Sequence, residues 1–222
     1  MATVAILGTG NIAQTLALDL KLEGHTVRLF APEHLAYRIR NLLDYPELEG
    51  SGEISGRARL DLVTTDIDQA VQGADYICIC APGYRHEEYG RILKGHTEAR
   101  QVVFTFNACM ASLVYKNIWG DDRDCPIFVD TDVPPFSTRV VAPGRVCLYE
   151  RHLGGIAFFP ASAAEGLYEK IKEEFYAFPK VYADVLECGL SLINPSVHPG
   201  ACLVNLSNIE KPDTNFFLYE HG

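Results

Sequence analysis

Gly8, Gly10 and Ala13 stand at the spacing G-x-G-x-x-A inside TVAILGTGNIA, residues 3 to 13. That spacing suits one kind of chemistry, the holding of a dinucleotide pyrophosphate. Gly8 permits a tight turn, Gly10 lets backbone approach phosphate with no Cβ in the way, and Ala13 allows close helix–strand packing. Thr9, Asn11 and Ile12 complete the turn, and the N–H groups opening the helix face the anion. Far along the chain, His198 lies in SLINPSVHPGACLVN between Pro195 and Pro199, with Asn194 and Asn205 on either side. A histidine titrates near neutrality and suits proton transfer. By its residue pattern alone, a helix-capping or packing role competes with a catalytic one.

The elements around the turn support the phosphate reading. Thr3 to Leu7 is apolar and β-rich, residues 11 to 23 place Ile12, Leu16 and Leu20 on one helical stripe, and Gly24 ends that helix before a strand at Val27 to Phe30. A helix is expected over 33–44, and the Gly/Ser/Glu-rich stretch 46–59 reads as a surface excursion. Strands are then expected at Leu62 to Thr65, Tyr76 to Cys80, Gln101 to Phe106 and Pro126 to Asp130. Helical segments separate them at DIDQAVQGA, Tyr84 to Leu93 and 109–118. Strands alternating with helices predict an α/β fold, a Rossmann-type, doubly wound, mostly parallel sheet.

The alternation breaks at Pro134 and Pro135. Short strands at Arg139 to Val141, Arg145 to Tyr149 and Gly155 to Phe159 are expected to extend the sheet by antiparallel pairing, followed by a helix over 161–176 and a helical region from Val185. The division is therefore residues 1–183 as the dinucleotide-binding domain and 184–222 as the beginning of a helical substrate or dimerisation domain. The last segment, an apolar helix followed by an extended FFLY, lacks covering structure. The expectation is that the chain stops inside that second domain, or that a partner, such as a second copy, covers it.

The 222 residues are 48% hydrophobic and 22% charged with net charge −10, an ordinary globular composition. No basic cluster interleaved with aromatics argues for nucleic acid or an anionic membrane as partner. No apolar run approaches the ~18 residues of a span. The seven cysteines are odd in number, scattered and mostly inside apolar runs, which fits buried thiols in a reducing, cytoplasmic setting. Cys78 and Cys80 read as core residues, and no metal site is expected.

In an open α/β sheet the ligand lies beyond the carboxyl ends of the strands. Ala81-Pro82-Gly83 is a stiff turn suited to lying against a nicotinamide ribose, with a plain strand-to-helix turn as the alternative. His86 reads as cofactor-proximal or surface. His25, His34, His96, His152 and His221 read as surface residues. At the end of the second strand, Ala31 stands where a carboxylate would bond the ribose hydroxyls of NAD. With Arg28, His34, Arg38 and Arg40 nearby, NADP is placed slightly ahead of NAD, and Glu33 could still reach the ribose.

Three stretches carry a resemblance. DVLECGLSLINPSVHPGACLVNLSNIE, at 184–210, has a Leu-rich lead, an Asn, His-Pro and a following Asn. PPFSTRVVAPGRVCLYERHLGGIAFFPAS has Pro-aromatic-x-x-Arg followed by strands, and TNFFLYEHG is rich in aromatics. With the N-terminal GTGN, the set resembles the opine dehydrogenases, the octopine/nopaline dehydrogenase family. That resemblance implies an NAD(P)-dependent enzyme that joins an α-keto acid to the amino group of an amino acid and reduces the imine. A related reductase of 2-keto acids and a non-catalytic dinucleotide-binding module are the alternatives. It implies His198 as general acid/base, Asn194 and Asn205 as substrate-orienting groups, and Arg139 as a carboxylate clamp or a structural ion-pair partner. The chain departs from the family at Ala31 and at Asn107-Ala108-Cys109, where a Pro-Gly-rich turn is usual. The acidic partner of the family's histidine has no counterpart in these residues.

Overall fold

In the computed structural model, which describes residues 1–211, the first six parallel strands assemble in the order that brings the chain back beside its own start. The strands are β1 (Thr3–Leu7), β2 (Thr26–Phe30), β3 (Glu47–Gly52), β4 (Gly56–Arg59), β5 (Leu62–Thr64), β6 (Tyr76–Ile79), β7 (Val102–Thr105) and β8 (Ile127–Thr131). They continue with β9 (Phe136–Ala142), β10 (Arg145–Arg151), β11 (Gly155–Phe159) and β12 (Lys180–Val181). The main sheet runs β12-β11-β8-β7-β6-β1-β2-β5, parallel from β8 to β5, with β11 antiparallel to β8. The chain order reverses between β1 and β6, so the crevice above that pair is the topological switch point where such sheets bind ligands.

The helices are α1 (Asn11–Leu22), α2 (Arg40–Asp44), α3 (Ile67–Val71), α4 (His86–Leu93), α5 (Ala111–Trp119), α6 (Ala164–Glu174), α7 (Val185–Leu190), α8 (Asn194–Val204) and α9 (Leu206–Ile209). One face of the main sheet packs Leu7, Ile77, Ile79 and Val103 with Tyr89 of α4 and Tyr115 and Trp119 of α5. The opposite face, through Val4, Ile6, Cys78 and Phe104, packs with Leu16 and Leu20 of α1 and Ile171 of α6. The fold class expected from the alternation is the one observed.

Three expectations about the elements change. The stretch 33–44 is a 3₁₀ turn over Glu33–Ile39 and only then the five-residue α2. The segment 46–59 is a hairpin, β3 and β4, not an excursion. It joins β10 and β9 in a separate four-stranded sheet ordered β4-β3-β10-β9, so only β11 of the three late strands extends the main sheet. This second sheet covers the outer side of α1. Leu48, Val146 and Leu148 are buried in the same core as Leu16 and Leu18, which is why residues 13 to 20 of that helix are all buried. Thr15 and Thr138 share a hydroxyl–hydroxyl bond of 2.7 Å across this junction, and Thr138 donates to the Cys147 carbonyl. Asp19 is held by the two terminal guanidinium nitrogens of Arg151, at 2.6 and 2.8 Å, and by the Tyr176 hydroxyl at 2.7 Å.

His25 is buried, not on the surface. Its Nδ1 accepts the Ala2 N–H at 3.2 Å, and burial pulls its pKa down. The α7 helix, capped by Asp184, packs Val185 and Cys188 against Ala157 and Tyr182 at the edge of the main sheet. The extended FFLY and His221 lie outside the described residues.

Candidate functional site

The turn at the end of β1 is shaped by what a side chain would meet. Gly8 has φ +150°, and a Cβ there would fall 2.4 Å from the Cys80 carbonyl oxygen, so β1 and β6 can approach only over a glycine. A Cβ on Gly10 would meet nothing within 4 Å, so the space over it is open. Gly10 is the N-cap of α1, no side chain caps that end, and no acidic residue lies in its first turn. The helix therefore begins with N–H groups that its own sequence does not satisfy. The Gly10 carbonyl starts the helix by accepting the Gln14 N–H at 3.1 Å, and Ala13 is fully buried. Thr9 is buried too, and its carbonyl accepts the Gln14 side-chain amide.

A cleft of ≈ 280 Å³ opens over this turn, lined by Gly10, Asn11, Ile12, Cys80, Ala81, Pro82, Phe106, Asn107 and Pro134. Ala81 and Pro82 therefore line the same cleft as the glycine turn. His86 is buried beneath them. Its Nε2 lies 3.1 Å from the Ala81 carbonyl and burial lowers its pKa, so it braces the turn as a neutral imidazole that donates to that carbonyl. Burial also pushes the Cys80 thiol up, so it is protonated at neutral pH.

A second, larger cleft of ≈ 720 Å³ shares Asn11, Ile12 and Pro134 with the first. Its other walls are Val133, Phe136, Ser137, Thr138, Arg139, Glu150, His152, Asn194 and His198. Residues far apart in sequence meet there. Pro195 occupies the first turn of α8, and one further turn carries Asn194 and His198, four residues apart, to one cleft. Arg139 comes from β9 and donates to the Thr138 carbonyl at 2.8 Å. Asn205 does not line either cleft. It ends α8, where its side-chain amide donates to the Ala201 carbonyl at 3.0 Å.

His152, read from sequence as a surface residue, is a wall of the larger cleft, with Nε2 3.6 Å from a Glu150 carboxylate oxygen. His152 is the first residue after β10, and the ladder of that strand is irregular between Leu148 and Glu150, so no alternation in the sequence marks the pair. Around the end of β2, Ala31 is buried with its N–H on the Thr64 carbonyl. Arg28 is spent on structure, donating to the Gln69, Ala70 and Gln72 carbonyls at the end of α3. His34 is paired with Glu88 and Arg85, and Arg38 lies exposed against Tyr37. All seven cysteines are unpaired, and no cluster able to hold a metal occurs among the described residues.

A parallel sheet ordered around β1, an uncapped helix start over a glycine turn and a cleft at the switch point define the Rossmann-type dinucleotide-binding class. Within that class the chain is similar in sequence to the opine dehydrogenases. It is 28% identical to an opine dehydrogenase of Arthrobacter sp. strain 1C over 225 residues, covering 99% of this chain and 61% of that protein. No protein-family model matches it. In fold it superposes on octopine dehydrogenase in complex with NADH and agmatine with a TM-score of 0.76 at 18% identity, over 97% of this chain and 57% of that one. Yersinopine dehydrogenase with NADP⁺ bound gives 0.72 at 16% identity, over 99% and 57%. The chain thus spans about three fifths of the length of the relatives it matches.

Proposed function

We propose that this chain is the dinucleotide-binding portion of an NAD(P)-dependent oxidoreductase of opine dehydrogenase type, which reduces the imine formed from an α-keto acid and an amino acid. The observation that carries the reading is the continuity of two clefts. The one over the glycine turn and the one holding Asn194, His198 and Arg139 share Asn11, Ile12 and Pro134. The residues fit a dinucleotide: open space over Gly10, unsatisfied N–H groups at the α1 start, and the buried, unpaired Asn107 Oδ1 at the cleft.

In this reading the turn from Gly8 to Ala13 holds the pyrophosphate, and Ala31 bounds the adenosine end. Ala81 and Pro82 lie against the nicotinamide ribose. When bound, NADH or NADPH supplies the hydride. His198 gives or takes the proton at the carbonyl or imine carbon's heteroatom. Arg139 and Asn194 hold substrate carboxylate, a task that suits a guanidinium fork. Residues 1–183 act as the dinucleotide domain and 184–222 as the start of a helical domain. Seven unpaired cysteines support a reducing, cytoplasmic setting.

The deciding experiment measures NADH and NADPH binding, then their oxidation with keto acids and amino acids singly and together, for the chain and for His198→Ala. Turnover that requires both substrates, lost in His198→Ala with cofactor affinity retained, is the expected result. Turnover with a keto acid alone would mark a 2-keto acid reductase instead. Binding without turnover, in a form extended to its relatives' length, would leave a non-catalytic module.

A further inference from the structure

The backbone leaving β7 is held in an unusual conformation. Asn107, Cys109 and Met110 have φ of +52°, +49° and +64°, all left-handed and none a glycine. Each such residue costs free energy and persists only when its surroundings determine it. The surroundings here do so from two sides. The Asn107 N–H donates to Thr131 Oγ1 and the Ala108 N–H to the Thr131 carbonyl, each at 3.0 Å. Met110 lies so close to α7 that a Cβ on Gly189 would sit 2.4 Å from its Cγ. The backbone of the turn is thus fixed by β8 at Asn107 and Ala108 and packed against α7 at Met110.

The side-chain oxygen of Asn107 is unsatisfied. Among the described residues two buried side-chain polar atoms have no hydrogen-bond partner, Asn107 Oδ1 and Trp119 Nε1. Trp119 lies in the core against Phe128, whereas Asn107 lines the cleft over the glycine turn. A buried acceptor left without a partner loses its hydration and gains nothing in return. A strained turn carrying an orphan acceptor at the lip of a cleft is the signature of a group kept for a ligand.

We propose that Asn107 Oδ1 accepts a hydrogen bond from the nicotinamide riboside half of the dinucleotide, and so is a positioning residue for the reacting ring. The assignment rests on the dinucleotide reading above. Asn107 follows β7, on the β6–β7–β8 side of the switch point, opposite the β2–β5 side. The pyrophosphate on the Gly8–Gly10 turn lies between the two sides, and the adenosine end is taken by the end of β2. The donor that side offers an acceptor is a ribose hydroxyl or the carboxamide N–H.

The test uses Asn107→Gly, which removes the amide while tolerating the same backbone conformation. Affinities for AMP, ADP-ribose, the preferred reduced dinucleotide and its 3-acetylpyridine analogue are measured by calorimetry, with the melting temperature alongside. AMP affinity is expected to be unchanged, and the dinucleotide to bind about 10-fold more weakly, the worth of one such bond. Equal weakening of ADP-ribose assigns the ribose hydroxyl. Unchanged ADP-ribose, with the acetylpyridine analogue insensitive to the substitution, assigns the carboxamide. The melting temperature is expected to hold or rise, because only an orphan atom is lost. Unchanged dinucleotide affinity overturns the proposal, as does a fall in melting temperature with all ligands weakened together. If the glycine variant does not fold, Asn107→Ala is read by the same ratios. Failure of the unmodified chain to bind any of the four ligands would overturn the dinucleotide reading itself, before any variant is compared.

Discussion

Asn11 Oδ1 accepts the Val140 N–H at 2.9 Å, tying the first residue of α1 to β9 of the second sheet. The glycine turn and the strand carrying Arg139 are thus joined by one side chain, and both clefts include Asn11. Asn11→Ala leaves the Val140 N–H without this partner and is expected to cost about 1 kcal/mol. Urea unfolding would check it, and an unchanged midpoint would show that the tie carries no load.

Gly8 and Gly10 are expected to fail differently. Gly8→Ala places a Cβ 2.4 Å from the Cys80 carbonyl oxygen, against backbone that cannot yield, at a φ side chains rarely adopt. It should lower stability by roughly 2 kcal/mol or more. Gly10→Ala meets no protein atom, so the melting temperature should hold while the Cβ occupies phosphate space and dinucleotide affinity falls at least about 10-fold. A thermal melt paired with a cofactor titration separates the two, and equal affinity in Gly10→Ala and the parent would sink the phosphate assignment.

Cofactor choice should depend on Arg38 and not on Arg28. Arg28→Ala strips a cation from the α3 carbonyls and is expected to cost about 1 kcal/mol of stability with the NADPH-to-NADH affinity ratio unchanged. Arg38→Ala should lower NADPH affinity several-fold, more at low salt, with NADH unaffected. An altered ratio in Arg28→Ala alone would reverse the assignment.

Asp130 supplies a pH dependence. Burial raises its pKa to about 6, against two bonds from Ser112 that lower it. Because the folded pKa exceeds the unfolded 3.8, the folded state holds the proton more tightly, and stability falls as pH rises between those values. The penalty is complete above about pH 6, at most about 3 kcal/mol. Asp130→Asn, which can still bond Ser112, is expected to be more stable than the parent at about pH 8 and no more stable below about pH 4. Denaturant titrations at the two pH values measure this, and an equal difference at both would remove Asp130 as its source.

What the sequence revealed was what local pattern encodes. The β1 turn, the α1 stripe and the alternation through β8 depend on neighbours within about 30 residues, and Gly8, Gly10 and Ala13 announce themselves by spacing. The hairpin at 46–59 did not, because its pairing partner β10 lies nearly a hundred residues away and its glycines imitate a loop. Gly50 is needed there for packing, since a Cβ on it would meet Leu18 and Ile54 below 3 Å. His25 looked exposed beside Glu23 and Gly24, yet the chain's own first residues cover it. Asn107 read as a departure from a family pattern. Its left-handed backbone is set by Thr131, and no window around residue 107 contains that information.

The hairpin of β3 and β4 also changes what α1 tolerates. A helix on the outside of a Rossmann sheet ordinarily has a wet side on which substitutions drift freely. Here that side is roofed: Leu18 touches the Gly50 position, and Leu22 the Gly56 position. Trimming 46–59, as one would trim a loop, would strip an apolar strip of α1 naked beside the glycine turn. The most dispensable-looking stretch of this chain is therefore among the least removable.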